Sequence, residues 1–381
     1  MSERWRIPLE LRDAPRLLAW VALAGFAVVL VRTAWLCDDA FISFRTIRNF
    51  VDGDGLRWNL AERVQVFTHP LWVFVLSALH AVTGDLYYTT LAVSLALSLA
   101  AAWIMAFRVA PTPMTGFTCA LVLVCSRSFV DFSTSGLENP LTHLLLAGFA
   151  CAFVAREAWT PRRLFWLALL AGLSATNRLD ALVLVAPALG WACWQERSRR
   201  GLLAVAAGFA PLLLWEIFSL VYYGFPFPNT AYAKIAGEIG LGSRLAKGSG
   251  YLLSCVLFDP LAMAAIALGV AAPAIRGRWS LAPLSAGVLL HILYILWVGG
   301  DFMGGRFFTA PLVLALAAAA RAFPLPERAR GFAPAGVVLA LSLILGPRAP
   351  LLAGADYGMR WHWRRIIDSA ASPTSARSTT G

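Results

Sequence analysis

The chain has 381 residues, 59% of them hydrophobic and only 14% charged, with a mean hydropathy of +0.69 and a formal net charge of +11. This balance excludes an ordinary soluble domain and describes a polytopic membrane protein. The positive charge is largely arginine in short loops between apolar runs, a mark of membrane topology; no basic groove interleaved with aromatics points to nucleic acid.

Apolar runs of ~20 residues, enough to cross a hydrocarbon core of roughly 30 Å, recur about eleven times. They begin near Leu17, Leu86, Met114, Asn139, Arg163, Asp180, Gly201, Gly250, Leu281, Phe307 and Gly331. The loops holding Arg156 and Arg162, Arg197 and Arg199, Arg276 and Arg278, and Arg321 and Arg328 fall on the side of the N-terminus with its Arg4, Arg6, Arg12 and Arg16. The positive-inside rule makes that side cytoplasmic. A hairpin turning at Asn177-Arg178-Leu179-Asp180 keeps the two arginine clusters that flank 164–194 on one face.

The predicted organisation is all-α: a cytoplasmic N-terminus (1–16), a transmembrane domain (17–346) with a first outer loop at 38–85, and a short tail (347–381). The first span reads as a retained anchor, because no small-x-small cleavage site follows it. The tail is predicted outside and partly disordered, although its basic aromatic cluster at 359–365 runs against the positive-inside trend. The six cysteines are scattered through apolar runs without CxxC spacing and read as packing residues.

With this orientation the ionisable residues gather on the outer side. Asp38 and Asp39 stand together at the exit of the first span, where two like charges at a low-dielectric edge tend to raise one pKa. Such a pair suits a site that handles a proton, a metal or a sugar hydroxyl; the plainer alternative is a pair of solvated acids ending a helix. Within the first outer loop, Phe41–Phe50 has the spacing of a short interfacial helix, broken by Gly53-Asp54-Gly55. A second short helix, re-entrant or juxtamembrane, is predicted in the run from Thr68 to Val82, with proline in its first turn.

The ordered motifs Asp38-Asp39-Ala40-Phe41-Ile42-Ser43-Phe44-Arg45, Gly53-Asp54-Gly55-Leu56, Thr68-His69-Pro70-Leu71-Trp72 and Thr134-Ser135-Gly136-Leu137-Glu138 are followed by Asn177-Arg178-Leu179-Asp180, Pro228-Asn229-Thr230 with Tyr232-Ala233-Lys234, and Gly299-Gly300-Asp301-Phe302-Met303 with Arg306. This series resembles the GT-C superfamily of polyprenyl-phosphate-sugar-dependent glycosyltransferases, and within it the terminal arabinofuranosyltransferase-like membrane proteins of actinobacteria and related bacteria. Members of that family are usually longer, with a soluble outer domain after the last span.

The resemblance implies a GT-C-type fold in a bacterial inner membrane with its active site outside the cytoplasm. It implies transfer of a sugar, arabinofuranose among the candidates, from a polyprenyl-phosphate donor to a cell-envelope glycan or lipid, with inversion. In that scheme Asp38 or Asp39 holds the place of the catalytic aspartate that accepts the acceptor's proton. Arg306, Lys234, Arg45 and Arg178 are the outer cations available for the donor phosphate. His69, Glu138, Asn229 and Asp301 are the candidate substrate contacts.

Each of these residues also has a plainer reading. Arg306 pairs with Asp301, Arg178 pairs with Asp180, Lys234 snorkels, Arg45 solvates the interfacial helix, His69 marks a helix entry, and Glu138 and Asn229 cap spans. His143 and His291, inside apolar runs, read as buried packing polars. The resemblance leaves room for a divalent cation beside the aspartate pair, but no residue spacing specifies a metal site. Two other functions fit the composition: a transporter or flippase for a lipid-linked sugar, and a catalytically silent scaffold.

Overall fold

The computed structural model describes residues 9–155, 158–229, 232, 240–344 and 350. Lys234, the first eight residues and, Pro350 apart, the 347–381 tail lie outside the described residues. Among those described, every regular element is helical.

Helix α1 (Leu9–Arg32) is followed by α2 (Asp38–Val51) and α3 (Pro70–Thr83), the two short helices expected in the first outer loop. Helix α2 buries Ala40, Ser43, Phe44 and Ile47, one face at helical spacing. Helix α3 has its proline in the first turn and ends on Gly84 in the left-handed region at φ 70°. Then come α4 (Tyr87–Ile104), which runs on through a π-helical turn to Val109, α5 (Pro113–Cys125), α6 (Arg127–Asp131), α7 (Asn139–Val154) and α8 (Pro161–Asn177). The second half holds α9 (Ala181–Glu196), α10 (Arg199–Gly208), α11 (Ala210–Tyr223), α12 (Leu241–Phe258), α13 (Pro260–Arg276), α14 (Ala282–Val298), α15 (Arg306–Ala322) and α16 (Ala333–Ile344).

A helix lies at or beside each of the expected span starts, but length and composition do not give eleven spans. Three segments are long and apolar enough to cross a membrane, Ala14–Arg32, Tyr87–Val109 and Trp279–Val298, and up to five if each of two bent pairs is one span. The bent pairs are α10 with α11, at 50°, and α12 with α13, at 111°. The single span expected to begin near Gly250 is therefore two helices meeting at Asp259-Pro260. The residue before a proline is disfavoured in helical geometry, and proline starts the next helix without a wasted N–H. The Asp259 carboxylate holds the corner, accepting bonds from Ala262 N (3.0 Å), Ser126 Oγ (2.7 Å) and Ser128 N (2.8 Å).

The core centres on α15, which is buried almost all round and packs against α7, α13 and α14. Its alanines, among them Ala315 and the run Ala317–Ala320, let neighbouring backbones approach closely. The outer surface is apolar instead: Val21, Val28 and Val31 on α1, and Leu213, Leu214, Ile217 and Val221 on α11, are exposed. Apolar helices with an apolar exterior are those of a membrane protein.

The architecture brings four helix ends together. Ion pairs join the starts of α7, α9 and α15 to the end of α8, and His291 reaches Asp180 from the middle of α14. A smaller core made by α2, α3 and the 132–145 stretch, with Trp72 fully buried, packs over that end of the bundle.

Candidate functional site

Glu138 is the hub of this end. It precedes α7 and is 1% exposed, yet three cationic or ionisable groups reach it. Arg178 Nη1 donates to Oε1 at 3.0 Å, Arg306 Nη2 donates to Oε1 at 3.0 Å and to Oε2 at 3.3 Å, and His69 Nδ1 lies 3.4 Å from Oε2. Burial alone raises the Glu138 carboxyl, but Arg306, His69 and Arg178 together outweigh it and hold the group down at about 2. Near neutral pH Glu138 is thus held ionised, an anchor for the two arginines.

Each cation is held by more than Glu138. Arg178 makes a bidentate bond to Asp180, Nε to Oδ1 at 2.9 Å and Nη2 to Oδ2 at 2.7 Å, and lies over the Phe307 ring. His291, buried as expected, has its Nε2 3.3 Å from Asp180 Oδ2, so it belongs to this network as well as to the packing. Arg306 Nη1 is 3.6 Å from Asp301 Oδ2. His69 shares its other nitrogen, Nε2, with Ser43 Oγ at 2.8 Å, and burial lowers its pKa despite the pull of Glu138.

Apart from His291, these side chains line a cavity of about 660 Å³, whose walls also include Asp39, Gln65, Trp215, Glu216, Phe227 and Tyr294. A volume of this size suits one small molecule. The aspartate pair divides at its mouth. Asp39 lines the cavity, and its pKa is raised by burial and by the adjacent Asp38. Asp38 is exposed, does not line the cavity, and accepts the Asp39 N–H at 3.0 Å.

Loop geometry sets the registration. Gly136 has φ +81°, and a Cβ there would lie 2.7 Å from Ala40 Cβ and 2.8 Å from Leu36 Cδ2, so only glycine lets this loop lie against the start of α2. Trp72 Nε1 bonds Gly136 O at 3.0 Å and Cys37 N bonds Ser135 O at 2.9 Å, fixing the loop that presents Glu138. The glycine-rich run before Arg306 serves packing rather than an open cradle. Gly300, at φ +76°, lies under the Tyr251 ring, and Gly305 lies against Ser128.

Of the sequence-predicted residues, Asp39, His69, Glu138, Arg178, Asp301 and Arg306 converge on one cavity. Arg45 does not line it: its guanidinium stacks on Trp58 at 4.3 Å and reaches Asn59. Asn229 is exposed, tied through its backbone N–H to Gln65 O, and does not line the cavity either. Among the described residues no group of three or more His, Cys, Asp or Glu side chains is placed to hold a metal ion. Sequence reasoning missed Glu216, whose signal was plain: a lone acid inside an apolar membrane helix.

No family model matches the chain, and no solved structure does. Two curated relatives do. The chain is 30% identical over 352 residues to a terminal beta-(1->2)-arabinofuranosyltransferase of Mycobacterium tuberculosis, covering 79% of this chain and 55% of that protein. It is 28% identical over 342 residues to a protein of the same name from Corynebacterium glutamicum, covering 73% and 46%. The chain spans about half the length of the curated relatives it matches. Along most of its own length, then, this membrane protein is similar to proteins named terminal arabinofuranosyltransferases, the resemblance that its ordered motifs carry.

Proposed function

We propose that the chain is a GT-C-type membrane glycosyltransferase that moves a sugar, arabinofuranose first among the candidates, from a polyprenyl phosphate to a hydroxyl of a cell-envelope glycan or lipid. The observation that carries this reading is one cavity lined by a partly buried, proton-competent carboxyl, Asp39, and by the guanidiniums of Arg306 and Arg178. The names of the relatives support the sugar.

In this reading Asp39 takes the proton of the acceptor hydroxyl as its oxygen attacks the anomeric carbon. The bond from that carbon to the phosphate oxygen breaks on the opposite face, inverting the configuration, and the electron pair leaves with the polyprenyl phosphate. Arg306, held by Glu138, faces the charge that develops on the leaving phosphate, and Arg178 supports it. Asp38 keeps the Asp39 proton affinity high by like-charge repulsion. The proposed setting is a bacterial inner membrane crossed about eleven times, N-terminus inside and cavity outside, as the arginine loops argue.

The test is transfer of labelled sugar by the purified full chain from a panel of synthetic polyprenyl-phosphate sugars, with and without EDTA, beside Asp39→Asn. Label reaching acceptor with the wild type alone supports the assignment and names the donor. Binding of the lipid without transfer by the wild type would overturn it.

A further inference from the structure

The cavity carries one acid that the network around Glu138 does not use. Glu216 projects from α11, a helix whose other faces show Leu213, Leu214 and Ile217 to the exterior. Its Oε2 is buried and has no hydrogen-bond partner among the described residues. Placing an unpaired carboxylate on an apolar membrane helix is costly, and leucine would be cheaper in that position. The acid is retained at a position where it opens onto the cavity beside Trp215, whose ring is almost fully buried.

The charge around it narrows what it can meet. The cavity wall holds five carboxylates, of Asp39, Glu138, Asp180, Glu216 and Asp301, against the two guanidiniums of Arg178 and Arg306. Glu138, Asp180 and Asp301 all have arginine partners, whereas Glu216 has none among the described residues. A phosphate is repelled from that part of the wall. A carboxylate is an acceptor only, so the group that Glu216 suits where it lines the cavity is a neutral donor of O–H bonds. A polyol is such a group.

Resting on the proposed function above, we infer that Glu216 is a specificity residue that accepts hydrogen bonds from the ring hydroxyls of the donor sugar. It orients the sugar while the arginines take the phosphate. A site built to hydrogen-bond a hydroxyl discriminates strongly against the analogue that lacks it, because the buried acceptor is then left unpaired.

The experiment compares wild type, Glu216→Gln and Glu216→Leu in transfer from a synthetic polyprenyl-phosphate arabinofuranose and from analogues each lacking one ring hydroxyl, with thermal unfolding of each variant in detergent. Glu216→Leu is expected to unfold at or above the wild-type temperature, since it removes from an apolar helix a half-buried acid with no partner among the described residues, while its KM for the intact donor rises about tenfold or more. One deoxy donor should be about tenfold or more poorer for the wild type and nearly equal to the intact donor for both variants. Unaltered KM and unaltered discrimination in Glu216→Leu would overturn the inference while leaving the glycosyltransferase reading in place. Absence of transfer by the wild type from any donor would remove that reading, and this inference with it.

Discussion

Arg306 and Glu138, 168 residues apart in the chain, meet with Arg306 Nη2 at 3.0 Å from Oε1 and 3.3 Å from Oε2. The same Oε1 accepts from Arg178 at 3.0 Å, so one buried carboxylate positions both guanidiniums of the cavity. Replacing it leaves two buried cations short of a partner. Glu138→Gln is expected to cost about 3–5 kcal/mol, read as a fall in thermal unfolding temperature in detergent. The pH dependence follows from the depressed pKa. Glu138's contribution is fully present above the ordinary carboxylate range and is lost as pH falls toward its folded value of about 2. An acid-induced loss of stability in that window should be present in the wild type and reduced in Glu138→Gln.

The two adjacent aspartates should behave differently. Asp39→Asn is expected to lower transfer by about 10²–10⁴-fold without loss of fold, the usual worth of a positioned base. Asp38→Asn should keep transfer but move the acidic limb of the kcat/KM profile to lower pH, because Asp38's charge is one of the causes that raise the Asp39 pKa. A profile unmoved by Asp38→Asn would mean that Asp39 does not set that limb.

Gly136 is expected to be intolerant of even one added carbon. Gly136→Ala forces a left-handed backbone on alanine and a Cβ against Ala40 and Leu36, costing about 1–3 kcal/mol and displacing the loop that carries Glu138. Gly148, in α7 with only ordinary contacts to Leu170, is the control. Gly148→Ala should be neutral or raise stability by about 0.5–1 kcal/mol, in line with helix propensity. Equal unfolding temperatures for the two variants would argue against the tight registration at Gly136.

The cations proposed for the donor phosphate should separate by position rather than by charge. Arg306→Lys keeps the charge but not the planar guanidinium that reaches Glu138 through Nη2 and Asp301 through Nη1, and a rise in donor KM of about tenfold is expected. Arg45→Ala should transfer at close to the wild-type rate, because Arg45 sits on Trp58 away from the cavity. Donor titrations of both variants distinguish the two positions.

Local chemistry was legible in the sequence. Apolar runs, arginine loops, the Pro70 start and the Gly84 end of α3 are set by neighbours in the chain, and helices stand at or beside the expected places. So was the gathering of Asp39, His69, Glu138, Arg178, Asp301 and Arg306, through motifs whose order resembles a known family. Their roles within the cluster were not legible. Successive residues on a helix point about 100° apart, so whether Asp38 or Asp39 faces the cavity depends on which side of α2 packs on α3 and the Gly136 loop. Glu138 became the hub only because α7, α8 and α15 bring their ends together, and the corner that Pro260 starts is held at Asp259 by Ser126 and Ser128 from another part of the chain. The sequence by itself determined the helices, the membrane character and the residues available for chemistry, since each depends on nearby composition. Which carboxylate stays ionised, which cation meets the cavity and which acid lacks a partner among the described residues were decided by tertiary contacts, because burial and pairing are properties of the assembled bundle.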